Sequence, residues 1–404
     1  MSGIVIIGGG LAGDTAAATL RDIGFAGSVT LVSDEAHRPY DRPPLSKAAL
    51  LSADAADKVF FRPEEWYRDK GIELVLGDGA ASIDRQERRV VLASGRTLSY
   101  DKLLIATGTR ARRLRLLENL GAPVFYLRTL GESQALRQAL QPGASIVLIG
   151  AGVIGLEVAA SAATLGCAVT VIEVAERVMA RSVSPSVSEF IAAYHRAKGV
   201  RVICGARISG VAAEAGRAVL TLDGGERLVA DALVAGIGAE PVTELAQAAG
   251  LRVDDGIVVD RFTRTSDPDI HAAGDVTRFE SIAFRRSWRT EHWRHAMDQA
   301  AVAARVMAGQ DTAYEDKPWV WSDQYDLNIQ ITGEGIGEAE VIRGNPSEAR
   351  FIAFQLRKGR LSGAISVNQP RFKRPIEELV VARAEVDPAV LADAAADLKK
   401  LAAR

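Results

Sequence analysis

The sequence predicts an α/β protein in which two βαβ units of the same design precede a smaller α+β domain. The first supporting observation is a repeat: an apolar strand, a glycine turn and a helical pattern begin at residue 4 and again at residue 146. The second is length, because 404 residues are too many for one compact core. The third is a change after residue 318, where short runs of alternating apolar residues indicate strands of a different kind.

The first unit opens with four β-branched apolar residues, which predict a buried strand at residues 4–7. Gly8, Gly10 and Gly13 follow, and a helical pattern continues to Ile23. Glycines at this spacing let backbone N–H groups approach a pyrophosphate, and the helix N-terminus adds a partial positive charge. The pattern is typical of a Rossmann-like unit, and it indicates a dinucleotide without specifying which one.

The second unit repeats the glycine spacing at Gly150, Gly152 and Gly155. Two such units predict two dinucleotide sites. Glu173 ends the strand that follows the second loop, and Asp34 and Glu35 end the corresponding strand after the first. A carboxylate at this position accepts hydrogen bonds from an adenosine ribose and repels a 2′-phosphate, which favours NADH over NADPH at the second site. Arg177 and Arg181 lie nearby in the sequence and keep NADPH open.

The remaining elements follow from local patterns. Further strands are predicted at 29–32, 103–108, 169–172, 233–238, 327–331, 351–356 and 361–367, and helices at 185–198, 291–307, 376–383 and 389–401. Consecutive prolines in residues 40–47 predict a stiff loop without helix. The helix at 291 is expected to follow the short strand before Asp275 directly. One of Trp319 and Trp321 is expected to face the core, and the other a cleft.

Composition excludes several classes of function. Lys and Arg number 49 against 51 Asp and Glu, so neither nucleic acid nor an anionic membrane is expected as a partner. Residues 144–172 contain a single charge, Glu157, but glycines break the stretch into strand, turn and helix, so it is not expected to span a membrane. The N-terminus enters the first strand without a basic segment, so we predict no signal peptide and a cytoplasmic location.

Cysteine and histidine spacing gives no sign of a metal. Cys167 and Cys204 stand far apart without a CxxC pair, so neither a disulfide framework nor a zinc site is expected. Glu291-His292-x-x-His295 is not the His-Glu-x-x-His order of zinc hydrolases, and no further ligand cluster accompanies it. We therefore predict that the protein binds no metal.

Several motifs occur in an order that resembles one family. They are the doubled glycine loop, RPYDRPPLSK (38–47), ATG (106–108), GVIGLE (152–157), AAGDVTR (272–278), EHW (291–293) and PWVWSDQ (318–324). Over essentially the whole chain, they resemble the FAD-containing, NADH-dependent ferredoxin reductases of bacterial oxygenase systems, such as those of biphenyl and phenylpropionate dioxygenases and putidaredoxin reductase. The resemblance implies a glutathione-reductase-like fold with an FAD domain (1–108 and 237–315), an NADH domain (109–236) and a C-terminal α+β domain (316–404).

The same resemblance implies two sets of cofactor contacts. The FAD contacts would be Gly8, Gly10, Leu11, Ala12, Gly13, Asp34, Glu35, Arg42, Lys47, Ala80, Thr107, Gly108, Arg128, Asp275 and Trp293. The NADH contacts would be Gly150, Gly152, Val153, Ile154, Gly155, Glu157, Glu173, Gly236, Ile237 and Gly238. Lys47, Glu157 and Trp321 would serve the redox chemistry, as a cation at the flavin, a carboxylate at the nicotinamide end and an aromatic at the flavin rim. His295 departs from the family, which usually has Asn there.

The implied activity is hydride transfer from NADH to FAD, followed by single-electron transfer to a small iron–sulfur ferredoxin of the [2Fe–2S] type. That ferredoxin would feed a terminal oxygenase, such as an aromatic-ring dioxygenase in aromatic hydrocarbon catabolism. A rubredoxin or a P450-type redoxin stays open as the acceptor.

Two other functions make different demands on the sequence. A disulfide reductase of the same fold would need a redox cysteine pair shortly after the first unit, and the sequence has no cysteine before Cys167. A non-enzymatic dinucleotide-binding redox sensor would leave Lys47 and Trp321 without a role.

Arginines at 110–115 and 285–294 are either a docking surface for an acidic ferredoxin or a solvated face.

Overall fold

The computed structural model describes residues 3–402, which form two compact units, each built from three separate stretches of chain. The first unit comprises Met1–Asp41, Val59–Arg110 and Ala239–Pro318. The second unit comprises Arg42–Lys58, Ala111–Gly238 and Trp319–Arg404. The three domain limits predicted from the sequence stay a prediction.

A five-stranded parallel sheet forms the core of the first unit. In spatial order its strands are Ile270–Ala272, Lys102–Ile105, Gly3–Ile7, Ser28–Ser33 and Ile72–Leu76. The helices Leu11–Asp22 and Trp293–Met307 pack against each other and join one hydrophobic cluster with this sheet. Alanines such as Ala16 and Ala300 are fully buried there, and their small side chains allow the two helices to approach closely.

The rest of the first unit consists of short elements. Its other strands are Ala80–Asp84, Arg89–Leu92, Thr97–Ser99, Ala239–Pro241, Ile257–Val258, Thr277–Ser281 and Arg286–Trp288, and its other helices are Glu64–Asp69 and Glu244–Ala248. The strand Thr109–Ala111 carries the chain from the first unit into the second.

A hairpin after Asp275 corrects the prediction that the helix follows this residue directly. The strands Thr277–Ser281 and Arg286–Trp288 pair in antiparallel register before the helix begins at Trp293. Their turn contains no glycine, and Arg285 adopts a φ of 53° instead. The usual glycine signal for a hairpin turn is therefore missing from the sequence.

The second unit contains the repeated parallel sheet. In spatial order its strands are Arg201–Ile203, Ala168–Ile172, Ser145–Ile149, Ala232–Ala235 and Val124–Phe125. The helices around it are Leu130–Ala139, Val153–Thr164 and Pro185–Ala197, with a turn at Arg115–Leu117 and antiparallel strands at Ile208–Glu214, Arg217–Leu222 and Arg227–Ala230. The stretch 144–172 therefore forms strand, helix and strand, as predicted. Within residues 3–402, no helix combines the length and the apolar character needed to cross a membrane.

The proline-rich segment 40–47 contains a 3₁₀ turn, which corrects the prediction of a loop without helix. A 3₁₀ turn covers Pro43–Ser46, and one-turn helices follow at Ala48–Leu51 and Ala53–Ala56. Proline is compatible with the first helical positions because the N–H it lacks has no partner there. The prolines therefore start a helical turn at this point rather than prevent one.

A five-stranded antiparallel sheet forms the C-terminal part of the second unit. In spatial order its strands are Trp319–Gln324, Leu327–Gly333, Arg360–Val367, Arg350–Arg357 and Ala339–Asn345, with helices Lys373–Val381, Pro388–Ala392 and Leu398–Ala402 and 3₁₀ turns at Pro346–Glu348 and Pro370–Phe372. The single helix predicted at 389–401 is wrong. Asp393 ends the first helix with an extended ψ of 108°, and its carboxylate accepts the Ala395 N–H; the Asp397 carboxylate accepts the Lys399 N–H where the next helix begins.

Candidate functional site

The first glycine loop, Gly8–Gly13, needs its outer glycines for backbone reasons. Gly8 has a φ of 122°, and a Cβ there would lie 2.2 Å from the Ala106 carbonyl oxygen. A Cβ on Gly13 would lie 1.9 Å from the Gly8 carbonyl oxygen. A Cβ on Gly10 would meet nothing within 4 Å, so the protein leaves open space beside the backbone there. Gly10 also begins the helix Leu11–Asp22 without a side-chain cap, so the loop fits the pyrophosphate of a dinucleotide.

The second glycine loop, Gly150–Gly155, has the same geometry. A Cβ on Gly150 would lie 2.4 Å from the Gly236 carbonyl oxygen, and one on Gly155 would lie 2.1 Å from the Gly150 carbonyl oxygen. Gly152 again faces open space and begins the helix Val153–Thr164 without a side-chain cap. Ile154, one of the predicted NADH contacts, is an apolar residue 45% exposed at this helix start. The loop therefore fits a second pyrophosphate.

The predicted adenosine contacts of the first loop lie near one another. Asp34 is exposed, and a Cβ on Gly79 would lie 3.0 Å from the Asp34 Cβ, so the chain just before Ala80 passes beside Asp34. Glu35 accepts a hydrogen bond of 2.5 Å from the Tyr40 hydroxyl. The two acids therefore differ in their surroundings, with Asp34 facing solvent and Glu35 held by a neighbour.

The predicted adenosine contact of the second loop is Glu173. Its Oε2 accepts the Ala151 backbone N–H at 2.7 Å, and its Oε1 accepts the Ala175 N–H at 2.8 Å, so the carboxylate is fixed at the end of the loop. The Arg177 guanidinium donates to the backbone carbonyls of Val183 and Ala180 at 2.7 and 2.8 Å. These bonds occupy Arg177, which favours NADH over NADPH because a 2′-phosphate would meet the Glu173 carboxylate.

Asp275, a predicted FAD contact, lies near the first glycine loop. A Cβ on Gly274 would lie 3.1 Å from the Ala12 Cβ, so Asp275 adjoins the loop. Trp293 donates its Nε1–H to the Asp41 carboxylate at 2.9 Å. The structure thus brings Asp275 to the loop and fixes the Trp293 ring by a side-chain hydrogen bond.

His295 makes defined hydrogen bonds beside Asp275. Its Nδ1 accepts from the Tyr314 hydroxyl at 2.7 Å, and its Nε2 donates to the Gly274 carbonyl at 3.2 Å. Burial lowers the pKa of His295 to about 3, so the ring is neutral and carries one proton. The ring also stacks on Phe279 with centroids 5.0 Å apart. His295 therefore supports the loop that carries Asp275.

Lys47 and Glu157, predicted separately for the two cofactors, meet in the second unit. Lys47 Nζ lies 2.9 Å from Glu157 Oε2, and the carboxylate is 2% exposed. The Ser46 hydroxyl donates to Oε2 at 2.5 Å, and the Ser322 hydroxyl donates to Oε1 at 2.8 Å. Such a buried carboxylate needs this many partners, because an unpaired buried charge is strongly destabilising.

Sequence reasoning missed Ser46 and Ser322 as partners of Glu157. Ser46 directly precedes Lys47, and Ser322 directly follows Trp321, so both adjoin residues that were predicted. Their chain neighbours were the only available signal, since contacts over 111 and 165 residues leave no local pattern.

Two further predicted FAD contacts, Arg42 and Arg128, also come together. The Arg42 guanidinium donates to the Arg128 backbone carbonyl at 2.6 Å. In the first unit, the Thr107 hydroxyl donates to the Val242 carbonyl at 2.7 Å, which fixes the strand end beside Gly8.

Trp319 and Trp321 correct the prediction that they face opposite environments. Their rings stack, with centroids 5.2 Å apart and planes 18° apart, and both are half-buried. Residues two apart on a strand share one face, so the alternation of side chains places both rings on the same side of the sheet. Lys373 Nζ lies 3.3 Å from the Trp319 ring centroid, and the Trp321 Nε1–H donates to Asp323 at 3.1 Å. The pair is therefore a stacked aromatic surface with a cation beside it.

The two arginine groups differ in their partners. Acidic side chains pair with Arg110 (Glu240 and Glu244), Arg289 (Asp255 and Glu291) and Arg294 (Asp298). Arg285 and Arg286 are exposed, and the Arg286 guanidinium lies 4.3 Å from the Trp288 ring centroid. Among the described residues, the part of the predicted basic surface that is not paired with an acid therefore includes Arg285 and Arg286.

The whole chain can be compared with known proteins. Residues 2–300 match the pyridine nucleotide-disulphide oxidoreductase family, and residues 319–402 match the reductase C-terminal domain. The chain belongs to this family. The ferredoxin reductase for the CYP199A2 system from Rhodopseudomonas palustris is 41% identical, with a TM-score of 0.94 and full coverage of both chains.

Two other solved structures extend the likeness. Putidaredoxin reductase, solved as a covalent complex with putidaredoxin, is 36% identical with a TM-score of 0.95, and the match covers 100% of this chain and 98% of the other. An NAD-dependent persulfide reductase from A. fulgidus is 26% identical with a TM-score of 0.85, and the match covers 94% of this chain and 76% of the other.

Family membership confirms the predicted fold class and an oxidoreductase that uses FAD and NADH. The family name includes disulphide reductases, but this chain has two cysteines in all, Cys167 and Cys204. Both are free thiols, and burial raises the pKa of each, which disfavours the reactive thiolate. The reaction of this oxidoreductase therefore uses no cysteine pair of its own.

Proposed function

We propose that the protein takes electrons from NADH onto FAD and passes them singly to a small iron–sulfur ferredoxin that feeds a terminal oxygenase. The observation that carries this proposal is the likeness over the full length, C-terminal sheet included, to a ferredoxin reductase and to a putidaredoxin reductase seen with its partner. The two free, widely separated thiols also suit a reducing cytoplasm, where we place the reaction.

The residues that would hold the two cofactors follow the two glycine loops. The first loop, Asp34 and Asp275 would hold FAD, and the second loop and Glu173 would hold NADH. FAD, when bound, accepts two electrons from NADH and releases them one at a time, which is the chemistry that a one-electron acceptor requires. The chain's own residues bind, orient and set the electrostatics of this exchange.

Lys47 would supply positive charge where the flavin gains negative charge. The Glu157 carboxylate fixes the Lys47 ammonium at 2.9 Å, and the Ser46 and Ser322 hydroxyls fix the carboxylate in turn. Glu157 leaves little of its surface exposed, so this charge pair is kept away from bulk water and is weakly screened. We assign Lys47 the electrostatic role at the flavin. We assign Glu157, at the nicotinamide end, the role of orienting Lys47.

Trp321 would lie at the flavin rim on the side of the redox partner. It stacks on Trp319 and donates to Asp323, so its ring is held in one orientation. A fixed aromatic ring gives a partner a flat apolar contact at low entropic cost. Replacement of Trp321 by Ala is expected to slow reduction of the ferredoxin more than reduction of ferricyanide.

The acceptor class is tested by comparing redox partners directly. Under anaerobic conditions, the purified protein with NADH is offered a dioxygenase-type [2Fe–2S] ferredoxin, a P450-type redoxin and a rubredoxin. We expect efficient reduction of a [2Fe–2S] protein, and the two similar redoxin reductases keep the P450-type acceptor as a second candidate. Preference for rubredoxin would contradict the proposed acceptor. A colourless protein that gains no stability from FAD would instead support the redox sensor.

The docking of an acidic ferredoxin is tested at the arginine hairpin. We expect Arg285→Glu with Arg286→Glu to slow ferredoxin reduction about tenfold at low salt, while ferricyanide reduction stays unchanged. Arg110→Glu is the matched control, because Arg110 already pairs with Glu240 and Glu244. Equal loss with both acceptors, or a larger effect at Arg110, would contradict docking at the hairpin.

A further inference from the structure

A buried row of hydrogen bonds leads from the helix Pro185–Ala197 to the Glu157 carboxylate. His195 Nε2 lies 2.9 Å from Gln324 Oε1, and Gln324 Nε2 lies 3.0 Å from Ser322 Oγ. Ser322 Oγ lies 2.8 Å from Glu157 Oε1. All four residues are at most 2% exposed, and all belong to the second unit.

The chemistry of the groups fixes the direction of every bond in the row. A carboxylate only accepts, so the Ser322 hydroxyl donates to Glu157 and its oxygen accepts from the Gln324 amide. The Gln324 carbonyl oxygen then accepts the Nε2–H of His195. Burial lowers the pKa of His195, so the ring is neutral and its remaining nitrogen, Nδ1, carries no proton.

The row ends at His195. Within residues 3–402 its buried Nδ1 has no hydrogen-bond partner. All three donors therefore point the same way, toward Glu157, and bonds aligned head to tail strengthen one another in a medium of low dielectric constant. Lys47 and Ser46 hold the other carboxylate oxygen, so Glu157 is supported from two sides.

We propose that Ser322, Gln324 and His195 are positioning residues that hold the Glu157 carboxylate against Lys47 and thereby tune the flavin toward reduction. The inference rests on the proposed function, in which Lys47 lies at the flavin. The positive ends of three aligned dipoles offset part of the Glu157 negative charge, so Lys47 keeps more of its effect. Without the row, the negative charge of Glu157 would oppose the charge that the flavin gains, and the flavin would be harder to reduce.

The test uses the FAD-loaded protein and the variants Ser322→Ala and Gln324→Leu. The bound flavin's midpoint potential is measured by equilibrium redox titration, and the rate constant for its reduction by NADH is measured by rapid mixing. We expect the potential to shift to more negative values in both variants. We expect the rate constant to fall roughly tenfold in Ser322→Ala, as for the loss of one hydrogen bond to a charged group.

Two further variants separate this role from a merely structural one. Ser322→Thr keeps the hydroxyl and should restore both the potential and the rate constant. Ser362→Ala removes another buried hydroxyl of the same sheet, one that donates to the Gln355 carbonyl, and should change neither quantity. Circular dichroism confirms that each variant is folded before the titration.

The outcomes distinguish the inference from the function on which it rests. A wild-type potential in both Ser322→Ala and Gln324→Leu, in a protein that NADH does reduce, would overturn the inference alone. A wild-type protein whose flavin NADH cannot reduce would overturn the proposed function, and this inference with it.

Discussion

The two glycine loops have the same backbone geometry, but the helices that follow them differ in their buried acidic residue. Asp14 follows the first loop, is 2% exposed, and contacts the Arg62 guanidinium and the Tyr67 hydroxyl. Glu157 follows the second loop, is equally buried, and contacts Lys47 and Ser322. The loops explain why two dinucleotides bind. Both acids contact elements of their own unit, but only the contacts of Glu157 include Lys47, the cation that the proposed function places at the flavin.

The largest expected effect separates the loops by their central glycines. A Cβ at Gly10 or Gly152 meets nothing within 4 Å, and neither glycine has a positive φ, so valine there leaves the fold intact and fills the ligand space. We expect Gly10→Val to be purified without FAD, and Gly152→Val to keep FAD while its KM for NADH rises about 100-fold. Visible flavin absorption per protein and steady-state ferricyanide reduction measure the two effects.

Gly131→Val serves as the control for the glycine pair. Gly131 also faces open space but lies in the helix Leu130–Ala139, away from both loops in the sequence, so FAD content and KM should be unchanged. Loss of FAD from Gly152→Val with retention in Gly10→Val would reverse our assignment of the two cofactors.

The next effect separates the two acids. We expect Glu157→Gln to slow flavin reduction by NADH roughly 10- to 100-fold, because Lys47 loses the carboxylate that orients its ammonium, and this loss outweighs the removal of one negative charge near the flavin. We expect Asp14→Asn to lower the free energy of unfolding by about 2 kcal/mol, because it weakens a buried ion pair, while the reduction rate stays near the wild-type value. Rapid-mixing absorbance and urea unfolding measure the two quantities. Slow flavin reduction in Asp14→Asn, together with a wild-type free energy of unfolding, would contradict this division of roles between the two acids.

Removal of the Glu173 carboxylate should have a moderate effect. Glu173→Ala loses the predicted ribose contact and the bonds to two backbone N–H groups, so we expect KM for NADH to rise about tenfold. KM for NADPH should fall toward that for NADH, because the repulsion of the 2′-phosphate is gone. Glu176→Ala, on the same loop, is the control. A variant that keeps full discrimination between NADH and NADPH would locate the specificity elsewhere.

The smallest effect concerns acid stability in the first unit. Burial lowers the pKa of His295 to about 3 from an ordinary value of 6.5, so the unfolded chain binds a proton that the folded chain does not. This contribution to stability is complete above pH 6.5 and is lost progressively as pH falls toward 3. The free energy of unfolding in urea should therefore fall by about 1 kcal/mol less between pH 7.5 and 5.5 in His295→Asn than in the wild type.

His271 provides an independent comparison for the acid effect. Burial lowers its pKa to about 4. His271→Asn should therefore reduce the decrease in the free energy of unfolding between pH 7.5 and 5.5 by a similar amount. If the free energy of unfolding falls as much in both variants as in the wild type, other groups govern the stability of this unit in acid.

Local patterns predicted the parts of this protein that depend on neighbouring residues. The two glycine loops, their flanking strands and the helix Pro185–Ala197 follow from spacing and from turn and cap residues. The contacts that join Glu157 to Ser46 and Ser322 could not be predicted, because they connect residues 111 and 165 positions apart. The hairpin after Asp275 escaped prediction because its turn uses Arg285 in place of glycine.

The central proposal is that FAD is the resident cofactor, that NADH reduces it, and that it serves a one-electron acceptor. The direct measurement is an anaerobic titration of the purified wild-type protein with NADH, followed by visible flavin absorption, and then with oxidised [2Fe–2S] ferredoxin. We predict that one equivalent of NADH bleaches the flavin band and that two equivalents of ferredoxin restore it, because each ferredoxin accepts one electron. No bleaching by NADH, or a band that ferredoxin does not restore, would contradict the account.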